Sequence, residues 1–122
     1  MLSINDLSPA EQYVLKELDP EAMLVELPAG WTGNGTEDER RRAVPELRAA
    51  VAALAGRGLI DLFDFPYWPA PWHEAVPIPA AQVLSATADD EAWLRRGDRM
   101  SLLTLAVTDA GLTLWLMPGA AP

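Results

Sequence analysis

The chain has 122 residues, a formal net charge of −9, no cysteine and one histidine. Its length suits one compact domain, and its residue content excludes disulfides, thiolate metal sites and nitrogen-rich metal sites. The acidic balance argues against uniform affinity for nucleic acid, because sequence-independent binding rests on the neutralisation of phosphates.

The N-terminal residues place Asp6 where a secretory signal would need apolar side chains, so we expect an intracellular, cytoplasmic protein. The most apolar stretch, 100–117, is interrupted by Thr104, Asp109 and Gly111, which makes it a poor membrane span. We therefore expect no association with a membrane.

Two short helices are predicted first. Ser8-Pro9-Ala10-Glu11 has the pattern of a capping box, which opens a helix that runs to about Leu18. Asp19 is expected to cap a second helix over "PEAMLVEL", although its apolar centre leaves a strand open as the alternative. The following "PAGWTGNG" is predicted to be a plain loop, because it lacks the lysine of a phosphate-binding loop.

The third predicted helix is divided by a proline. A capping box at Thr36 opens it, with acidic residues in the first turn and arginines directly after them. Pro45 lacks a backbone donor and disfavours the α conformation of Val44, so we expect a break or kink there. Apolar residues then follow at helical spacing, and Gly56 or Gly58 ends the helix.

The next segment is predicted to form a strand and a long excursion. "GLIDLFDF" alternates with apolar residues on both faces, a pattern that favours the edge of a sheet. Residues 66–80 contain five prolines and are expected to stay outside the ladder. Leu59–Phe63 is expected to pair antiparallel with part of Leu102–Val107.

The C-terminal third is predicted to contain one short helix and one strand. The helix starts near Thr87 and ends at Gly97, with Trp93 and Leu94 on its packing side. A strand covers 100–108, and Asp109-Ala110-Gly111 forms a turn or begins a helix. These elements predict an α+β fold with three N-terminal helices and a small antiparallel sheet in a single domain, 1–122.

The order of these elements resembles the winged helix-turn-helix (MarR/PadR-like) domain family. In that family a leucine-bearing recognition helix passes through a glycine into a strand, a wing follows, and the second strand ends in a Thr-Asp/Glu-x-Gly step. The resemblance covers residues 7–65 and 100–116 and implies an inserted element over 66–99. The matching residues are Leu54, Gly58, Leu59, Ile60, Thr108, Asp109 and Gly111.

The resemblance implies a small DNA-binding transcriptional regulator that acts as a homodimer on double-stranded DNA. The helix from Pro45 would then present Glu46, Arg48 and Ala49 to base edges, with phosphate contacts from neighbouring arginines. In the alternative interpretation the arginines form a solvated face that is balanced by nearby acids. The candidate DNA-binding residues are Arg41, Arg42, Arg48, Arg57, Arg95 and Arg96.

The aromatic and proline-rich stretch "FPYWPAPW" has three interpretations. It can be a stiff strut whose tryptophans cover the core, or a protein-binding surface built on Tyr67, Trp68 and Trp72. Base stacking is the third interpretation, but the acidic surroundings would repel phosphate. The second interpretation gives the alternative function, an acidic winged-helix-like module for protein–protein interaction.

No catalytic site is predicted. The single His73 lacks a nucleophile elbow for a triad, and Asp61 and Asp64 are expected on opposite faces of one strand. We therefore expect no enzyme activity, no cofactor and no metal.

Overall fold

A four-stranded antiparallel sheet with helices on one face organises the chain in the computed structural model, which describes residues 3–18, 21–65, 71–94 and 102–116. The predicted α+β class is confirmed. The helices are α1 (Pro9–Glu17), α2 (Glu26–Trp31), α3 (Glu37–Gly56), α4 (Val83–Ala86), α5 (Glu91–Leu94) and α6 (Asp109–Leu116). The strands are β1 (Glu21–Met23), β2 (Ile60–Phe65), β3 (Val76–Ile78) and β4 (Leu102–Val107), and short 3-10 turns cover Ile4–Asp6, Trp72–Glu74 and Ala80–Gln82.

Helix α1 begins with the predicted capping box. The Ser8 hydroxyl accepts a hydrogen bond from the Glu11 amide at 3.1 Å, and the Ser8 amide donates to Glu11 Oε1 at 2.8 Å. This exchange satisfies two backbone donors that a helix start would otherwise leave unpaired. Val14 and Leu18 are buried, as the apolar spacing of the helix predicts.

The segment after α1 differs from the predicted second helix. Glu21–Met23 forms strand β1, so the alternative that the sequence left open is correct. Helix α2 begins later and extends through Pro28 and Gly30, which the sequence had placed in a loop. Pro28 is tolerated because the first turn of a helix leaves its backbone donors unpaired anyway, and at Gly30 the Tyr13 hydroxyl fills the space of a Cβ.

Helix α3 continues through Pro45, so a break of the helix at that residue is wrong. Pro45 is exposed, and water can therefore bond to the Arg41 carbonyl that loses its donor. Val44 and Leu47 on either side are fully buried and hold both halves of the helix on one core. The helix starts with the predicted Thr36 capping box.

Gly58 and Gly111 lie where α3, β2 and α6 meet. Gly58 has a φ of 74°, and the Leu59 amide donates to the Leu54 carbonyl at 3.0 Å, as in a Schellman motif. Thr108 directly follows β4, and its hydroxyl donates to the Gly58 carbonyl at 2.7 Å and accepts from the Gly111 amide at 3.1 Å. The two stretches that carry the family resemblance are therefore in direct contact.

The sheet has the order β1-β4-β2-β3. The predicted antiparallel pairing is confirmed, with the register running from Ile60 opposite Val107 to Phe65 opposite Leu102. The expectation that β2 lies at an edge is wrong, because β3 pairs on its other side. One face of the strand packs on the helices, and Trp72 packs on the phenylalanines of the other face. This arrangement is compatible with a winged-helix-like fold.

The proline-rich run contributes strand β3, so the expectation that the whole run stays outside the ladder is also wrong. Pro77 lies opposite Phe63. Thr108 donates to the Leu59 carbonyl at 3.1 Å in the same β2–β4 register, so alternate residues of β2, including Phe63, bond to β4. The nitrogen of Pro77 therefore points away from the sheet, the position that a strand allows to proline.

The two described α-helices of the insertion pack on α3. Val83 of α4 and Trp93 of α5 are fully buried, and the predicted burial of Trp93 and Leu94 is confirmed. Helix α4 was not predicted, and the expected helix end at Gly97 lies outside the described residues. In the part of the chain that the structure describes, no helix is long and apolar enough to cross a membrane.

Candidate functional site

Arg48, the residue expected to read bases, is bound within the protein. Its Nε donates to the Thr87 carbonyl at 2.7 Å and its Nη2 donates to the Ala88 carbonyl at 3.1 Å. The same Nη2 lies 2.7 Å from Asp90 Oδ1, and the Arg48 side chain is only 19% exposed. The guanidinium therefore binds the end of α4 and the start of α5 to α3.

Trp93 completes this contact from the other side. Its indole N–H donates to the same Thr87 carbonyl at 2.9 Å, and the Thr87 hydroxyl donates to the Val83 carbonyl at 2.7 Å. Both Trp93 and Thr87 are fully buried. Because buried polar groups are costly to leave unpaired, this network fixes the insertion against α3 and keeps Arg48 away from a ligand.

Two other candidate arginines also form ion pairs. Arg41 lies 3.7 Å from Glu37 and 3.5 Å from Glu91, and Arg57 lies 3.6 Å from the buried Glu11. Arg42 is exposed and forms no ion pair with any residue that the structure describes. Arg95 and Arg96 lie outside the described residues. The arrangement thus leaves Arg42 as the most available of the described candidates.

The exposed surface of α3 is acidic in its first turns. Glu37, Asp38 and Glu39 are exposed, and Glu46 is exposed further along the same helix. Hydrogen bonds with the Thr36 backbone and side chain lower the pKa of Glu39. A recognition helix normally approaches DNA through these first turns, where the acids here would repel phosphates.

Trp72 lies on the opposite side of the sheet from α3. Its ring meets Phe63 edge-on at 5.3 Å between centroids and Phe65 at 4.9 Å, with interplanar angles of 86° and 71°. Even so, Trp72 remains 45% exposed. The ring therefore packs on the sheet and also presents an accessible aromatic surface. Tyr67 and Trp68 lie outside the described residues.

The strand registers define the surface around Trp72. Ile60, Leu62 and Leu105 point to the helices and belong to the main core. The alternate residues point the other way, and we call this side the outer sheet face. It comprises Glu21, Met23, Asp61, Phe63, Phe65, Pro77, Thr104 and Ala106.

The outer sheet face has a buried floor and a polar rim. Met23, Phe65 and Thr104 are buried, whereas Asp61 and Glu21 are exposed. Among the described residues, the Thr104 hydroxyl has no hydrogen-bond partner. Sequence reasoning selected Trp72 and named Asp61 among the acids around the aromatic stretch, but it missed Phe63 as the neighbour of Trp72. The alternation of "IDLFDF" was the available signal, since it puts Asp61, Phe63 and Phe65 on one face.

Two carboxylates of β2 lie on opposite faces of the sheet, as predicted. Asp61 lies on the outer face, and Asp64 lies on the inner face, where burial raises its pKa. His73 is exposed. Across the described ranges, no cluster of three or more Asp, Glu or His side chains is placed to hold a metal ion. The outer sheet face thus offers an aromatic ring and carboxylates for contact with a ligand.

Comparisons with protein-family models, with curated proteins and with solved structures give no significant match.

Proposed function

We propose that this protein is an acidic protein-interaction module that binds a partner through Trp72 on the outer sheet face. One observation carries the proposal: the Trp72 ring is held by two phenylalanines and is nevertheless 45% exposed. A large aromatic ring that is already ordered loses little conformational entropy on binding, and tryptophan is a frequent anchor of protein interfaces.

The distribution of charge supports a protein partner over DNA. Three of the candidate cations form ion pairs with acidic side chains of the same chain: Arg41, Arg48 and Arg57. Binding to DNA requires several phosphates to be neutralised, and the first turn of α3 carries acids instead. A protein partner has no such requirement.

The experiment is affinity capture from a lysate of the native host with the full chain as bait. Trp72→Ala should remove a specific protein band that the wild type retains. Leu84→Ala is the matched control, because Leu84 is 57% exposed and lies on α4, away from the outer sheet face. A band that survives Trp72→Ala, or that disappears equally in Leu84→Ala, contradicts the proposal.

A DNA-binding regulator is the second candidate. It is favoured by the α2–α3 helix pair beside the paired strands β2 and β4, and by the exposed Arg42. The test is a mobility-shift assay on a duplex pool at low salt with the wild type and Arg42→Ala. A salt-sensitive complex that weakens in Arg42→Ala supports this function, and the absence of any complex removes it.

A further inference from the structure

We infer that the partner of the outer sheet face is a basic protein segment whose arginine or lysine side chains contact Trp72 and Asp61, and that it binds by side chains without adding a strand to the sheet. This inference rests on the function proposed above and names the chemical class of the partner.

The first argument is charge complementarity. No described strand contains a lysine or arginine, and Lys16 and the described arginines belong to α1, α3 and its C-terminal cap. The outer sheet face carries exposed carboxylates at Asp61 and Glu21, which flank Ala106 in the sheet register. An approaching basic segment therefore meets negative charge on this face without a competing cation on the strands.

The second argument is the position of the aromatic ring relative to the acid. Asp61 and Phe63 are alternate residues on one face of β2, about 7 Å apart along the strand. Trp72 lies against Phe63 and also against Phe65, which is two residues further from Asp61 along the strand. A guanidinium or ammonium group can therefore lie over the exposed indole, which attracts cations, while a neighbouring cation of the same segment meets the Asp61 carboxylate.

The third argument is that the β3 edge of the sheet cannot accept a strand. Pro77 points its nitrogen outward and has no N–H to offer. The Ala75 amide already donates to the Trp72 carbonyl at 3.0 Å, and Pro79 again has no N–H. An added strand needs donors at alternate outward positions, and these three positions offer none.

One outward amide of the β1 edge is occupied by a side chain. The Leu24 amide donates to the Leu103 carbonyl at 3.0 Å, so the Met23 amide points outward. Glu26 Oε2 accepts that amide at 2.7 Å. Both edges are thus blocked at these positions, as natural sheets commonly prevent edge-to-edge pairing, and the exposed side chains of the outer sheet face remain for recognition.

The test uses the full-length chain labelled with nitrogen-15 and two synthetic peptides of equal length. In one peptide arginines are separated by glycine and serine, and in the other citrulline replaces every arginine. Binding is followed by the indole N–H signal of Trp72, which is assigned by its loss in Trp72→Ala. We expect the arginine peptide to bind about tenfold more tightly than the citrulline peptide.

Two charge variants separate local recognition from diffuse attraction. Asp61→Asn should weaken binding of the arginine peptide about threefold, and Glu46→Gln, which removes an exposed acid from α3, should leave it unchanged. The inference is overturned if neither peptide binds, if both bind equally, or if the two variants have the same effect. If Trp72→Ala still removes the captured partner in that case, the proposed surface stands and only the basic nature of the partner is refuted.

Discussion

Replacement of Arg48 should reveal its structural role. In Arg48→Ala the Thr87 carbonyl keeps its bond from Trp93, whereas the Ala88 carbonyl and Asp90 turn to water. A hydrogen bond from a charged donor to a partly buried carbonyl contributes about 1.5 kcal/mol. The Asp90 side chain is 41% exposed, so the ion pair contributes only about 0.5 kcal/mol. With the hydrogen bond to the exposed Ala88 carbonyl included, Arg48→Ala should lower the free energy of unfolding by about 2.5 kcal/mol.

The assay is urea unfolding followed by circular dichroism, with Arg42→Ala as the matched control. Both variants remove an arginine from α3, but Arg42 is exposed, so its loss should change the free energy of unfolding by less than about 0.5 kcal/mol. Arg48→Lys should lose about half as much stability as Arg48→Ala, because an ammonium group cannot reproduce the planar set of donors of the guanidinium. Equal stability of the Arg48→Ala and Arg42→Ala proteins would refute this account of the insertion.

Three further variants test the packing of the fold by denaturant or thermal unfolding. Gly111→Ala should lower the free energy of unfolding by about 2 kcal/mol or more. The new Cβ would collide with the Leu59 carbonyl oxygen, a backbone atom that cannot rotate away. Gly56→Ala, where the space is open, should be neutral or stabilising, and equal losses in both would refute the packing argument. Burial raises the pKa of Tyr13 from 10.0 to about 12, so the folded state holds that proton more tightly than the unfolded state and stability should fall as pH rises from about 10 to about 12. Tyr13→Phe, which loses the 2.7 Å bond to the Leu27 carbonyl, should lack this part of the alkaline loss, and an unchanged pH dependence would contradict it.

The features that could be predicted from the sequence depend on close neighbours. The capping boxes at Ser8 and Thr36 join residues three positions apart, and Gly58 ends α3 through its own left-handed conformation. The pairing of β2 with β4 was also predictable, because both segments have strand patterns and the two stretches at Gly58 and Thr108 match one motif.

The features that could not be predicted depend on distant partners. Strand β1 has three residues, and only pairing with β4 far along the chain decides against a helix. Pro45 continues a helix because buried residues on both sides outweigh one missing hydrogen bond. Arg48 has the pattern of a surface cation, but its partners lie 39 to 42 residues further on, in a segment whose position the sequence does not reveal.

The central claim is that the outer sheet face binds a protein and that α3 does not make the main contact. Site-specific photo-cross-linking in living cells tests it most directly, with p-benzoylphenylalanine placed singly at Asp61 on the outer sheet face, at His73 next to Trp72 in the chain, and at Glu46 on α3. All three residues are exposed, so the photoreactive side chain is tolerated and accessible at each position. We predict a covalent protein adduct from the positions 61 and 73 and none from 46. An adduct with protein or DNA that forms only from position 46 would contradict the claim, because it would identify α3 as the binding surface.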